Sequence, residues 1–118
     1  MLLPILYLRF AHAKKRPKMP DTWLTLLCTP SLEEKLIDHL LVVTGNQIFT
    51  STPVAAHGLS TAALNPMERV MGRAKAVQIQ LVVERQQLTE VLQSLKEEFP
   101  NTGLRYWTVQ VSNFGEFV

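Results

Sequence analysis

The stretch AVQIQLVV at residues 76–83 decides the fold, because its residues alternate between two kinds of environment. Every second position from residue 77 onward is aliphatic, and glutamines separate the first three of these positions. This period of two is typical of a half-buried β-strand. The next segment changes to helical spacing, with apolar residues at Leu88, Val91, Leu92, Leu95 and Phe99. The sequence therefore predicts a strand followed by an amphipathic helix.

The first half of the chain has the same order of elements. WLTLLC at residues 23–28 is a compact apolar run, which predicts a strand that Pro30 stops. Ser31 and Glu34 have capping-box spacing, and apolar residues recur at helical intervals as far as Leu41. Residues 47–57 predict a strand, and Pro53 within it indicates either a sheet edge or a bulge, because proline cannot donate to a β-ladder.

The complete order is β-α-β, a long connection at 58–75, and a second β-α-β that ends with a strand at 104–111. Two helices of similar length can cover one face of a four-stranded antiparallel sheet, so the predicted class is an α+β, ferredoxin-like β-α-β-β-α-β sandwich. The other face would carry Val82 and one of the neighbouring aromatics Tyr106 and Trp107. We expect this uncovered apolar face to make the protein a homo-oligomer.

Charge divides the chain of 118 residues into two parts. Residues 1–20 hold five of the 12 basic side chains and no acid, whereas residues 21–118 hold all 10 acids. We expect a flexible N-terminal extension at 1–20 and a single domain at 21–118. The acidic domain argues against a nucleic-acid partner. No apolar run is long enough to span a membrane, and the N-terminal run lacks the basic residues that precede one in a signal peptide, so a cytoplasmic location is expected.

The sequence gives little support for catalysis. It contains no glycine-rich phosphate-binding motif, and its three histidines lack metal-ligand spacing. Cys28 ends an apolar strand and is expected to be a core residue. We therefore expect a protein that is not an enzyme, with no metal site and no identified cofactor.

The connection at 58–75 is the most informative segment for function. Asn65 can cap a short helix, since Pro66 follows it, Glu68 lies three residues later and Gly72 is a natural stop. Three basic residues, Arg69, Arg73 and Lys75, stand here against one acid.

These basic residues suggest an anion site, because guanidinium groups match phosphate and carboxylate in geometry. Arg69 and Arg73 are spaced to share a helix face if the helix extends that far. His57 and Gly58 mark the point at which the strand becomes a loop, and Gly58 permits a positive φ or a close ligand approach. A solvated loop without a ligand explains the same charges.

Several of these segments resemble the PII-like signalling proteins, and more closely a small bacterial family called domain of unknown function 3240. The resemblance rests on His57-Gly58, ERVMGR at 68–73, the strand AVQIQLVV, and YWTV at 106–109 leading to Gly115. It covers nearly all of residues 22–118.

The resemblance implies a regulatory homotrimer assembled through its sheets. Small anionic effectors, such as a nucleotide or bicarbonate, would bind in the clefts between subunits at His57, Gly58, Arg69, Arg73 and Lys75. The connection would contact a partner protein, such as a membrane transporter or efflux protein, through Met67, Glu68 and Met71.

The alternative is a metal-binding or metal-tolerance module on the same trimeric scaffold, similar to the CutA proteins. It would gather His57, Cys28 or Glu68 from several subunits, because each chain has few ligands for a soft metal ion.

Overall fold

The computed structural model describes residues 19–58 and 64–118, so the predicted flexible extension lies outside the described residues except for its last two. The elements are β1 Thr22–Cys28, α1 Glu33–Val43, β2 Thr50–His57, α2 Pro66–Met71, β3 Arg73–Val83, α3 Arg85–Glu98 and β4 Arg105–Gln110. The predicted order is confirmed, and α2 is the short helix expected within the connection. None of the helices described is long and apolar enough to cross a membrane.

The four strands form one antiparallel sheet in the order β2-β3-β1-β4. β1 pairs with β3 only as far as Cys28, which lies opposite Val77. Beyond that point, residues 73–76 of β3 pair with residues 54–57 of β2 alone. These eight residues are called the ribbon below. The sheet therefore has a two-stranded extension at the end where β2 leads into the connection.

The core lies between one face of the sheet and the helices α1 and α3. The sheet contributes alternate residues of β1 and β3, as the period of two predicts, and each helix contributes its apolar stripe. The most fully buried side chains are Leu24, Leu26, Leu36, Leu40, Ile79, Val83 and Val91. Complete burial of such a side chain stabilises a fold by about 1.5–3 kcal/mol. A contact between the His39 ring and the Ser94 hydroxyl also joins the two helices. The ferredoxin-like α+β class is thus confirmed.

The predicted capping box at Ser31 and Glu34 is wrong. Residues Pro30–Leu32 form a 3-10 turn, and α1 begins after it at Glu33. Ser31 lies inside this turn, where its hydroxyl is 3.1 Å from that of Thr29. Because Pro30 already occupies a first helical position, Ser31 lacks the extended backbone that a capping residue needs.

Both strands of the ribbon begin at a different residue from the one predicted, whereas their predicted ends at His57 and Val83 are confirmed. β2 begins at Thr50, because the side chain of Gln47 donates to the Val82 carbonyl and residues 47–49 do not enter the ladder. β3 begins at Arg73, so the connection ends at Gly72 and not at residue 75. The edge position predicted for β2 from Pro53 is confirmed.

Candidate functional site

The ribbon places three of the predicted ligand residues on one face. His57 lies directly opposite Arg73, and Lys75 lies opposite Ala55. Side chains directly opposite one another are about 5 Å apart at Cβ, and diagonal neighbours such as His57 and Lys75 are about 7–8 Å apart. All three side chains are exposed. They are called the ribbon cluster below.

The two faces of the ribbon differ in character. Ala74 and Ala76 alternate with the basic residues of β3, and both are buried. They lie opposite Ala56 and Val54 of β2, which are also small or apolar. Since successive side chains of a strand point to opposite faces, the fold buries one face of the ribbon and exposes the basic one. The basic face is thus available to a ligand.

Gly58 follows His57 directly at the end of β2 and has a left-handed backbone. Its φ of +80° confirms the predicted positive φ, a conformation that residues with a Cβ rarely adopt. Among residues 19–58 and 64–118, no heavy atom lies within 4 Å of the position that a Cβ would occupy there, so none of these residues crowds the backbone beside His57.

The helix α2 is held by its ends. The Glu68 amide donates to Asn65 Oδ1 at 2.8 Å, and the Asn65 amide donates to Glu68 Oε1 at 3.1 Å, which completes a capping box. Gly72 ends the helix in the left-handed conformation, with φ of +69°. The predicted cap and stop are both confirmed. A helix of six residues needs such support, because helices this short are unstable in isolation.

Glu68 has a second role that the spacing of residues did not reveal. Its other carboxylate oxygen, Oε2, accepts a hydrogen bond of 2.9 Å from the Lys75 amide. This contact ties α2 to β3. The hydrogen bonds from the Lys75 and Asn65 amides, aided by the nearby Lys75 charge, lower the pKa of Glu68.

Arg69 and Arg73 do not share a helix face, because the helix does not extend far enough to meet the condition set for that arrangement. α2 ends at Met71, and the left-handed Gly72 redirects the chain before Arg73 enters β3. The i,i+4 relation of the two arginines would have required a continuous helix. The exposed Arg69 lies on α2, and its role as a ligand residue stays a prediction.

The apolar residues of α2 are exposed. The helix buries no side chain, and Met67, Val70 and Met71 are 68%, 86% and 49% exposed. Short helices are usually stabilised by packing an apolar face. Here the caps and the Glu68 contact hold the helix, so its apolar side chains are free to meet another surface.

The residues suggested for a metal site are not brought together within one subunit. Cys28 is buried in the core, and this burial, with a smaller effect of Glu33, raises the pKa of its thiol. His57 lies four positions further along the sheet than Cys28, or about 13 Å at the rise of a strand. Residues 19–58 and 64–118 contain no group of three His, Cys, Asp or Glu side chains that could hold a metal ion.

The face of the sheet opposite the helices carries large apolar side chains, and none of the helices described covers it. Trp23 lies between Val82 and Val109, and Trp107 lies opposite Thr25 on the same side. Trp23, Trp107 and Val109 are 41%, 43% and 52% exposed. Of the two aromatics considered from sequence, Trp107 therefore belongs to this face, which is called the open face below.

A cleft of about 1280 Å³ lies at the other end of β3, beside Val82 and the C-terminal Phe114. Glu84, Glu90 and Glu116 line it. These carboxylates make it unsuitable for an anion, which favours the ribbon cluster as the anion site despite the size of the cleft.

Three solved structures resemble this fold. The first is a DUF3240 family protein from Shewanella baltica OS155, with a TM-score of 0.68 and 13% identity over 86% of this chain and 100% of that one. The second is CPII from Thiomonas intermedia K12, a nitrogen regulatory PII-like protein bound to ADP, AMP and bicarbonate; the TM-score is 0.64 and the identity 14%, over 84% and 97% of the chains.

The third is the periplasmic divalent cation tolerance protein CutA from Archaeoglobus fulgidus, with a TM-score of 0.61 and 9% identity over 81% and 88% of the chains. At these identities the likeness establishes a shared fold and nothing more specific. No curated protein matches the sequence significantly.

The family model described as protein of unknown function (DUF3240) matches residues 18–118, which include the whole described sheet and all three helices. The resemblance inferred from the sequence is therefore confirmed, and the chain belongs to the DUF3240 family.

Proposed function

We propose that this protein is a non-catalytic, PII-like regulatory homotrimer that binds a small anion at the ribbon cluster and controls a partner protein through α2. The observation that carries the proposal is the strand register, which sets His57 opposite Arg73 with Lys75 beside them on an exposed face.

The charge of the cluster supports an anionic ligand. Arg73 and Lys75 concentrate positive charge within a domain that is acidic overall. A guanidinium offers paired donors to phosphate or carboxylate, and an ammonium adds a mobile point charge. None of the described residues crowds the backbone at Gly58, and Arg69 on α2 is the further ligand residue that we propose. CPII, with its bound ADP, AMP and bicarbonate, suggests the two classes of anion to test.

The open face supports self-association. It combines two half-exposed tryptophans with aliphatic neighbours, and aromatic residues dominate the energetics of such interfaces. In the trimer that we propose, these faces pack together and the ribbon of each subunit borders its neighbour. The anion site then lies in an inter-subunit cleft.

The exposed residues of α2 support a protein partner. Met67, Val70 and Met71 offer an apolar surface, and methionine side chains adapt to differently shaped partners. Glu68, on the same helix, belongs to the partner surface that we propose. The partner that we propose is the cytoplasmic side of a membrane transporter or efflux protein, and this places the regulator in the cytoplasm.

Titration calorimetry with ATP, ADP, AMP and bicarbonate tests the anion site. We expect at least one of these anions to bind, and Arg73→Ala to weaken that binding about tenfold or more, equivalent to the loss of one charge-assisted contact. Arg85→Ala is the matched control, because Arg85 is equally exposed but lies just beyond the far end of β3. Equal affinities for the two variants, or no binding of any anion, would contradict the proposal.

The fold shared with CutA supports one second candidate, a metal-tolerance module whose ligands come from several subunits. Its test is titration with Zn²⁺ and Cu²⁺. Binding that is lost in His57→Ala, together with indifference to all four anions, would favour this alternative over the regulatory function.

A further inference from the structure

The two carboxylate oxygens of Glu68 accept hydrogen bonds from two different segments of the chain. Oε1 accepts from the Asn65 amide within the cap of α2, and Oε2 accepts from the Lys75 amide in β3. The first contact supports the helix itself. The second does not, because it holds the helix against a strand that follows it in sequence.

Lys75 therefore takes part in two interactions, one through its backbone and one through its side chain. Its backbone amide is bonded to Glu68, and its side chain belongs to the ribbon cluster. The Lys75 charge helps to lower the pKa of Glu68, so a small anion that contacts the Lys75 ammonium also interacts with the Glu68 carboxylate. Two negative groups near one cation repel each other, so the anion and the Glu68 contact are not independent.

We propose that Glu68 is a tethered anion that competes with the effector for Lys75, so that effector binding detaches α2 from β3. This inference rests on the anion site proposed above. It makes Glu68 a positioning residue that links the occupancy of the ribbon cluster to the placement of the α2 surface.

Because α2 has little packing of its own, loss of the Glu68 contact would change the position of the helix relative to the sheet. Among the residues described, no side chain of the helix is fully buried, so apolar packing contributes little to holding it once the Lys75 contact is lost. Its exposed Met67 and Met71 would then change position relative to the sheet. Effector binding would lower the affinity for a partner that binds α2 in its attached position. By linkage, that partner lowers the affinity for the effector by the same factor.

Methyl NMR of protein labelled at its methionines tests the inference. The chain has four methionines, two of which lie on α2. ADP is the first probe and bicarbonate the second, each titrated against the wild type and two variants. Glu68→Gln removes the charge but keeps the size of the side chain. Glu90→Gln removes one charge at the far end of β3 and is the matched control.

We expect the anion to shift the Met67 and Met71 methyl signals of the wild type toward their positions in Glu68→Gln. In that variant the anion should bind about fivefold or more tightly, and the methyl signals should then shift little, whereas Glu90→Gln should behave as the wild type.

Three results overturn the inference. Binding without movement of the two methyl signals excludes detachment, even if Glu68→Gln binds more tightly through charge alone. Equal affinity in Glu68→Gln and Glu90→Gln excludes competition. Failure of both anions to bind the wild type removes the ribbon cluster as an anion site, and with it the proposed function as well as this coupling.

Discussion

Truncation of Trp107 on the open face should weaken self-association. The side chain is 43% exposed in the single subunit. A tryptophan offers about 200 Å² for burial, so roughly 85 Å² remains for a neighbour to cover. At about 25 cal/mol per Å², Trp107→Ala should cost about 2 kcal/mol for each interface that the residue enters, or about 30-fold in the dissociation constant.

Tyr106→Ala provides a control on the same strand. Tyr106 is 56% exposed, but the alternation of β4 places it on the side of the helices, facing away from the open face. Its truncation removes a comparable exposed aromatic surface without touching the proposed interface. We expect this variant to assemble as the wild type does.

Sedimentation velocity over a range of protein concentrations measures the effect. The wild type should sediment as a trimer, and Trp107→Ala should dissociate at concentrations at which Tyr106→Ala does not. Circular dichroism should show that both variants are folded. A monomeric wild type, or equal dissociation of the two variants, would refute the assignment of the open face as the interface.

Three further predictions concern the subunit itself. Leu36→Ala should lower the free energy of unfolding by about 2–5 kcal/mol in urea titrations, because Leu36 is completely buried, whereas Leu41→Ala on the exposed side of α1 should have a much smaller effect. Cys28 should react with thiol reagents only after unfolding, because it is buried and this burial raises its pKa; rapid labelling of the native protein would contradict this. Hydrogen bonds from the Lys75 and Asn65 amides lower the pKa of Glu68 from its ordinary value of 4.5. The α2–β3 contact should therefore be complete above pH 4.5, and it should be lost as the pH falls through the lowered pKa of Glu68. The Lys75 amide chemical shift should follow this titration, and it should stay constant over the same range in Glu68→Gln.

The sequence predicted the regular elements well where one pattern dominates. The alternation after Lys75 admits only a strand, because every second residue must face the core. The spacing from Leu88 admits only a helix, because residues three and four positions apart must face the same core. Prediction failed at Ser31 because two signals overlap there. The capping box and Pro30 both mark the start of a helix, and the fixed φ of proline determined which residue came first.

The boundary at Arg73 shows a different limit. Arg73-Ala-Lys-Ala76 alternates in the same way as the strand after it, but its apolar members are only alanines, and the helix stop at Gly72 favoured a loop. Pairing with residues 54–57 of β2 makes this segment a strand. Backbone hydrogen bonds to a neighbouring strand supply the stability that weak side-chain patterns leave uncertain.

For the candidate site, the sequence by itself determined the residue types and the local caps. It identified the basic residues of the connection, the Asn65 cap with Glu68 three residues later, and the helix stop at Gly72, since each depends on neighbours along the chain. Only the tertiary structure decided that His57 faces Arg73, and that the second oxygen of Glu68 meets the Lys75 amide. Strand register and contacts between elements depend on how distant segments pack, and composition or spacing within one segment does not specify that.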